Sequence, residues 1–274
     1  MVKKTLAVLV LCFFAQLIFA QVDLLINPVR VVFEGQKTVE DLSLTNIGKD
    51  SATFMVSFVS YKMQEDGSFV QLEKADSTQS ADKFLRLFPR KISLAPAESQ
   101  TIRMQLRKPS GLKDGEYRSH LYFRAEKEKP ALGMALPKTS SNAMSIQITP
   151  IFGISIPVIV RHGSLSSNVT LSEASFEVVN DSVGVVSVCI NRDGYKSAYG
   201  NLVAEYTSEK SKKGTVIGFA NGVGVYTEIP KRYIRLSVRY NQEMKLNNGK
   251  VVLKYVQNKP DGSTDVVQSE VVIK

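Results

Sequence analysis

Residues whose chemistry could support catalysis or metal binding are few in this chain. It holds two histidines, His120 and His162, and two cysteines, Cys12 and Cys189. Neither histidine has a second ligand at metal-binding spacing, and Cys189 has no CxxC companion. Ser119 precedes His120, but adjacent residues of a strand point to opposite faces, so the two cannot act together as nucleophile and base. We therefore expect no enzymatic activity, no metal site and no cofactor.

The basic balance of the chain, formally +9, raises the question of an acidic partner. The densest basic group is Lys210, Lys212 and Lys213, which lies beside Gly214 in a predicted turn. Binding of single-stranded nucleic acid needs aromatic side chains between such charges, and none lies among these lysines. We expect a solvated turn here and no nucleic-acid partner.

The most distinctive element is a long alternation of apolar residues with mostly polar or small ones, which ends near the middle of the chain. Every even-numbered position between Met144 and Val160 is apolar or proline, and no residue in this stretch is charged. A period of two places the even positions on one face of an extended strand. Pro150 and Pro157 lack a backbone N–H, which restricts at least part of the strand to a sheet edge. Because proteins normally protect long apolar edges, this strand is either covered within the fold or left open to bind another strand.

Short alternating runs separated by turn residues recur through the rest of the chain. Hairpins are predicted around the turns at 65–68 and 259–262, which contain Asp-Gly pairs. Such spacing is typical of antiparallel sandwiches, so we predict an all-β protein with two immunoglobulin-like β-sandwich domains. The long alternation stops at Arg161, and turn residues follow. We place an N-terminal sandwich at 21–161 and a C-terminal sandwich at 164–274.

The amino terminus has the pattern of a secretory signal peptide. Lys3 and Lys4 precede an apolar run at 6–19, and Ala20 offers a small residue at the exit. The run is short for a membrane span, so we expect residues 1–20 to be cleaved, with an uncleaved anchor as the alternative. Cys189 is then the one remaining cysteine, and we expect it to be a buried small hydrophobe without an internal disulfide.

Four segments in order carry a resemblance to a known family. Residues 27–35 (NPVRVVFEG), 42–46, 88–103 and 114–123 resemble successive strands of the PapD-type periplasmic chaperones of pilus and fimbrial assembly. The resemblance covers residues 24–161, while the C-terminal half carries a generic sandwich pattern. It implies a periplasmic protein whose partner is a secreted pilus or fimbrial subunit, with an outer-membrane assembly platform as a second candidate partner.

The resemblance also implies a site. In this family the long edge strand is lent to a subunit that lacks one strand, a form of β-strand addition. The matching donor face here comprises Met144, Ile146, Ile148, Phe152 and Ile154. Arg30 matches the family's cleft arginine, which binds the subunit's terminal carboxylate. The alternative for the donor face is an ordinary covered core strand, and the alternative for Arg30 is a surface arginine on a strand.

One departure from the family concerns the second carboxylate contact. The family places a lysine on the long strand about four residues before its terminal arginine. If Arg161 is that arginine, Pro157 occupies the lysine's position, and no lysine lies between Met144 and Arg161. Arg30 then acts alone, another basic residue substitutes, or the ligand differs. A structural or adhesive β-sandwich component of an envelope assembly is the alternative function.

Overall fold

The computed structural model describes residues 24–73, 79–126, 153–209, 214–240, 246, 248–259 and 262–273. The predicted signal peptide at 1–20 and four of the five predicted donor residues, Met144, Ile146, Ile148 and Phe152, lie outside these ranges. Within them no helix is long and apolar enough to cross a membrane.

The strands up to His162 comprise the N-terminal sandwich and a separate hairpin of the fifth and sixth strands. They are β1 Leu24–Asn27, β2 Val31–Phe33, β3 Val39–Asn46, β4 Ala52–Val59, β5 Tyr61–Met63, β6 Phe69–Gln71, β7 Leu85–Phe88, β8 Lys91–Leu94, β9 Ser99–Leu106, β10 Gly115–Ala125 and β11 Gly153–His162. A four-stranded sheet in the order β1-β3-β9-β7 faces a five-stranded sheet in the order β2-β11-β10-β4-β8. A 3-10 turn at Asp82–Phe84 precedes β7.

Alternation along these strands fills one apolar core between the two sheets. Leu42 and Leu44 of β3 contribute from one sheet, while Val158 and Val160 of β11 contribute from the other. All four side chains are fully buried. Only one face of each sheet meets the core, so strands that are apolar on one side and polar on the other suit this sandwich.

The C-terminal sandwich uses the remaining seven strands. They are β12 Ser167–Asn180, β13 Val183–Gly194, β14 Ala198–Ser208, β15 Thr215–Val225, β16 Lys231–Arg239, β17 Gly249–Asn258 and β18 Thr264–Ile273. Their sheets have the orders β12-β13-β16 and β15-β14-β17-β18. The predicted hairpin around 259–262 is confirmed as β17–β18, and Cys189 is buried as expected. The prediction of an all-β chain with two sandwiches is confirmed.

The hairpin predicted around 65–68 is confirmed, but its docking was not predicted. Strands β5 and β6 pair with each other and form a two-stranded sheet that is separate from the two main sheets. Met63 is buried in the core of the C-terminal sandwich, and its backbone N–H donates to the Glu228 carboxylate at 2.9 Å. The Tyr233 N–H donates to the carbonyl of Glu65 at 2.7 Å. The hairpin therefore joins the two sandwiches.

A partly buried ion-pair network makes a second connection between the sandwiches. Arg161 at the end of β11 donates to Glu116 at 2.9 Å and to Glu34 at 2.8 Å. From the C-terminal sandwich, the Ser197 hydroxyl donates to Glu116 at 2.9 Å and Lys196 pairs with Glu34 at 3.2 Å. Burial raises the pKa of Glu34, but Arg161 and Lys196 outweigh burial and leave its pKa below the ordinary value. This network therefore links the two sandwiches through charged and polar groups.

Candidate strand-binding site

One stretch of β11 lies at an open sheet edge. The strand pairs with β10 along its whole length, from Gly153 to His162. On its other side β2 covers only Val158–Val160, by parallel pairing with Val31–Phe33. Within the described part of the chain, no strand pairs with that side of Gly153–Pro157. We call this stretch, residues 153–157, the β11 edge.

The two faces of β11 have different surroundings. Ile156 and Val158 belong to the N-terminal core, and Ile154 is half-buried against the same core. On the opposite face Ser155 and Pro157 line a cleft between the sandwiches. Ile154, the one predicted donor residue within the described ranges, therefore lies at the rim of its own core. The donor role of the other four residues remains a prediction.

Arg30 lies in the same cleft, directly before β2. Its guanidinium stacks on the ring of Tyr199, with 4.1 Å from Cζ to the ring centroid. One terminal nitrogen donates a hydrogen bond to the Tyr226 hydroxyl at 3.2 Å. No carboxylate forms an ion pair with Arg30 among the residues described. Two tyrosines of the C-terminal sandwich thus hold a half-buried cation that lacks a counter-charge there.

The cleft around Arg30 has a volume of about 460 Å³. Both sandwiches contribute to its wall, and its lining includes Val29, Arg30, Tyr61, Phe69, His120, Ser155, Pro157, Tyr199, Gly222 and Tyr226. We call it the Arg30 cleft. Apolar and aromatic walls around one cation suit a ligand that is apolar along its length and anionic at one end.

A second arginine, Arg118 of β10, lies beside the cleft and is paired with an acid. Arg118 of β10 stacks over Tyr226 at 3.8 Å and donates to the Tyr61 carbonyl at 2.8 Å. It also pairs with Glu228, which is therefore already engaged. Because the Glu228 charge is matched by Arg118, the charge of Arg30 remains available to an anionic ligand.

His120 is buried beside Arg30 and was not predicted to belong to the site. Its ring packs edge-to-face against Tyr61 and Phe69, with centroid distances of 5.0 and 5.5 Å. Desolvation chiefly, together with the charges of Arg118 and Arg30, lowers the pKa of His120 to about 3. The imidazole is therefore neutral at physiological pH, and its Nδ1 atom is buried with no hydrogen-bond partner among the described residues.

Sequence reasoning placed Arg30 at the site but missed His120, Tyr199 and Tyr226. The two tyrosines come from a different sandwich, and nothing in their local sequence indicates the contact. His120 could have been found by pairing the two strands, because β10 and β11 are adjacent and His120 faces Pro157 in the ladder. The described residues contain no cluster of histidine, cysteine and acidic side chains able to hold a metal ion.

Comparison with known proteins gives structural likenesses alone. No family model and no curated protein sequence matches the chain. The YadV chaperone is 11% identical, with a TM-score of 0.45, over 92% of this chain and 100% of that one. The Pseudomonas aeruginosa CupB2 chaperone is 12% identical, with a TM-score of 0.43, over 91% and 100%. The class 5 fimbriae chaperone CfaA is 14% identical, with a TM-score of 0.39, over 92% and 99%. Because these scores are low, the function has to come from the chain's own residues.

Proposed function

We propose that this protein is a periplasmic chaperone for pilus or surface-fibre subunits, which it binds by pairing β11 with a subunit strand. The observation that supports it most is the conjunction of an open strand edge with an arginine that has no acidic partner in the described residues. The β11 edge ends at Pro157, where β2 begins to cover the strand, and Arg30 directly precedes β2. Residues 153–157 supply main-chain groups for pairing, and Arg30 supplies a charge at the end of the edge.

Charge decides the direction in which a client strand would run. A strand parallel to β11 reaches Pro157 with its carboxyl end, so its terminal carboxylate meets the Arg30 guanidinium. An antiparallel strand that began there would instead bring its terminal ammonium group against Arg30, which is electrostatically unfavourable. The proposed client is therefore a chain whose last strand lies parallel to β11 and ends in the Arg30 cleft.

Two kinds of contact contribute to affinity in this arrangement. Main-chain hydrogen bonds along the edge are worth about 1 kcal/mol each and depend little on client sequence. A guanidinium–carboxylate pair contributes about 1.5–3 kcal/mol and fixes the register of the client end. The sequence resemblance to PapD-type chaperones supplies the class of client, a secreted subunit. No cofactor takes part, since capping is stoichiometric.

The test is capture of a client by the mature protein from its native envelope extract. Arg30→Ala is compared with Arg103→Ala as a control. Arg103 is exposed and pairs with Asp41 on the four-stranded sheet, which does not contain β11. We expect the parent protein and Arg103→Ala to retain a small secreted subunit, and Arg30→Ala to lose at least nine-tenths of it, about the effect of 1.4 kcal/mol. Equal retention by Arg30→Ala would remove the anchor, and retention of no small subunit would favour a structural envelope component.

A further inference from the structure

We infer that His120 is the second group that contacts the client's terminal carboxylate, in the place where Pro157 supplies no cation. This inference rests on the proposed function and specifies its ligand site. It makes the carboxylate site of this protein an arginine–histidine pair, in which Arg30 holds the charge and the imidazole donates a hydrogen bond.

Strand register brings the two groups to one place. His120 lies directly opposite Pro157 in the β10–β11 ladder, and both residues line the Arg30 cleft. A carboxylate that reaches Arg30 at the end of the β11 edge is therefore adjacent to the His120 ring. The side chain of Pro157 has no hydrogen-bond donor, so the polar group at this point of the cleft comes from His120 on the neighbouring strand β10.

Burial without a partner distinguishes His120 from an ordinary core histidine. His120 is only 4% exposed, and its Nδ1 has no hydrogen-bond partner in the described part of the chain. Buried polar atoms are almost always hydrogen-bonded, and an orphan costs about 1–3 kcal/mol. No other described residue accepts a hydrogen bond from the imidazole, so a carboxylate in the cleft would supply a partner that the described residues do not provide.

The groups around His120 determine how its protonation responds to the ligand. Arg118 lies on its own strand and Arg30 approaches from the segment before β2, while Tyr61 and Phe69 pack from the hairpin. The two arginines oppose protonation of the imidazole in the free protein. A bound carboxylate adds the opposite charge, which favours the imidazolium. The pKa of His120 should therefore be higher in the complex than in the free protein, and binding at acidic pH should be accompanied by proton uptake.

Nuclear magnetic resonance of the histidine side chains tests this directly. Position 162 holds the other histidine, so His162→Gln leaves His120 as the single imidazole of the mature chain. The titration is recorded on ¹⁵N-labelled protein alone, with saturating N-acetylphenylalanine, and with the uncharged amide of the same compound. At neutral pH, where the probe's carboxylate is charged, we expect the acid to change the ¹⁵N shifts of the His120 ring and the amide to leave them unchanged. The acid should also raise the pKa of His120.

Binding measurements separate the histidine from the arginine. His120→Phe retains the ring and the edge-to-face packing but removes the donor, while His120→Asn retains a side-chain donor in a smaller group. We expect the preference for acid over amide to fall about tenfold in His120→Phe and to be largely retained in His120→Asn. If His120→Phe misfolds, the titration of the unmodified histidine decides the question.

The outcomes distinguish this inference from the proposed function. An unmoved His120 titration, together with an acid preference that is lost in Arg30→Ala but not in His120→Phe, overturns the histidine contact and leaves the arginine anchor in place. An acid preference that survives Arg30→Ala overturns the proposed anchor itself. Loss of preference in both variants, with the expected rise in pKa, supports the two-group site.

Discussion

His120 and Pro157 lie directly opposite each other in the β10–β11 ladder, and both line the cleft that holds Arg30. This pairing places a neutral imidazole and a donor-free proline on the wall where the free stretch of β11 ends. On the other face of the same strand, Ile156 and Val158 are buried in the N-terminal core. One strand thus anchors the sandwich with its even positions and lines the cleft with Ser155 and Pro157.

The first prediction concerns acid sensitivity. Burial and the neighbouring arginines lower the pKa of His120 to about 3, against a reference value of 6.5. Between these two values the unfolded chain binds a proton at this histidine and the folded protein does not. The free energy of unfolding is therefore at its full value above about pH 6.5 and decreases as the pH falls toward the folded pKa. We expect the free energy of unfolding of the parent protein to decrease from pH 6.5 toward pH 3 more steeply than that of His120→Gln.

Urea unfolding at a series of pH values measures this slope, and the difference between the two proteins should amount to a few kcal/mol. His162→Gln is the control, because His162 is partly exposed. Parallel pH profiles for the parent and His120→Gln would contradict the buried neutral histidine.

The second prediction concerns the network that joins the sandwiches. Replacing Arg161 by alanine leaves the buried Glu116 carboxylate without its main partner. Removing one partner of a buried pair typically costs about 3–5 kcal/mol. We expect Arg161→Ala to lower the urea midpoint accordingly, whereas the exposed Arg103→Ala should change stability by no more than about 1 kcal/mol. Equal midpoints for the two variants would show that the network does not stabilise the folded protein.

The third prediction separates the two alternatives for the even face of the long strand. Ile156 is 3% exposed in the N-terminal core, so Ile156→Asp buries a charge and should unfold the N-terminal sandwich. Ile148 lies outside the described residues and is predicted to donate its side chain to the client. We expect Ile148→Asp to abolish client capture with an unchanged thermal midpoint. A large loss of stability in Ile148→Asp, measured by circular dichroism, would instead favour a covered core strand.

Local patterns were sufficient for the architecture. Alternation with period two and Asp-Gly turns predicted the β-sandwiches and both hairpins, because strand faces and turn conformations depend on neighbouring residues. The two prolines predicted that at least part of the long strand would lie at a sheet edge, and the second side of β11 is unpaired at 153–157 within the described residues. It did not predict that the odd-numbered Ile159 would be buried, since the C-terminal sandwich covers it.

The chemistry of the site depends on contacts between distant segments. Arg30 and Tyr226 are 196 positions apart, and their hydrogen bond follows from how the two sandwiches meet. Docking of the β5–β6 hairpin, which places Phe69 beside His120, has the same origin. Neither contact leaves a periodic or spacing pattern, so a single sequence could identify Arg30 by resemblance but could not identify the groups that surround it.

Site-specific photocrosslinking from the β11 edge tests the central proposal most directly. A photoreactive residue replaces Ser155, which is exposed beside the Arg30 cleft, and a matched residue replaces the exposed Ser43 on the opposite sheet. After client capture and irradiation, mass spectrometry identifies the linked client residue. We predict crosslinks from position 155 to the last strand of the client, within a few residues of its carboxyl terminus, and none from position 43. Capture of the client without crosslinks at position 155, or with crosslinks only near the client's amino terminus, would contradict parallel strand addition at this edge.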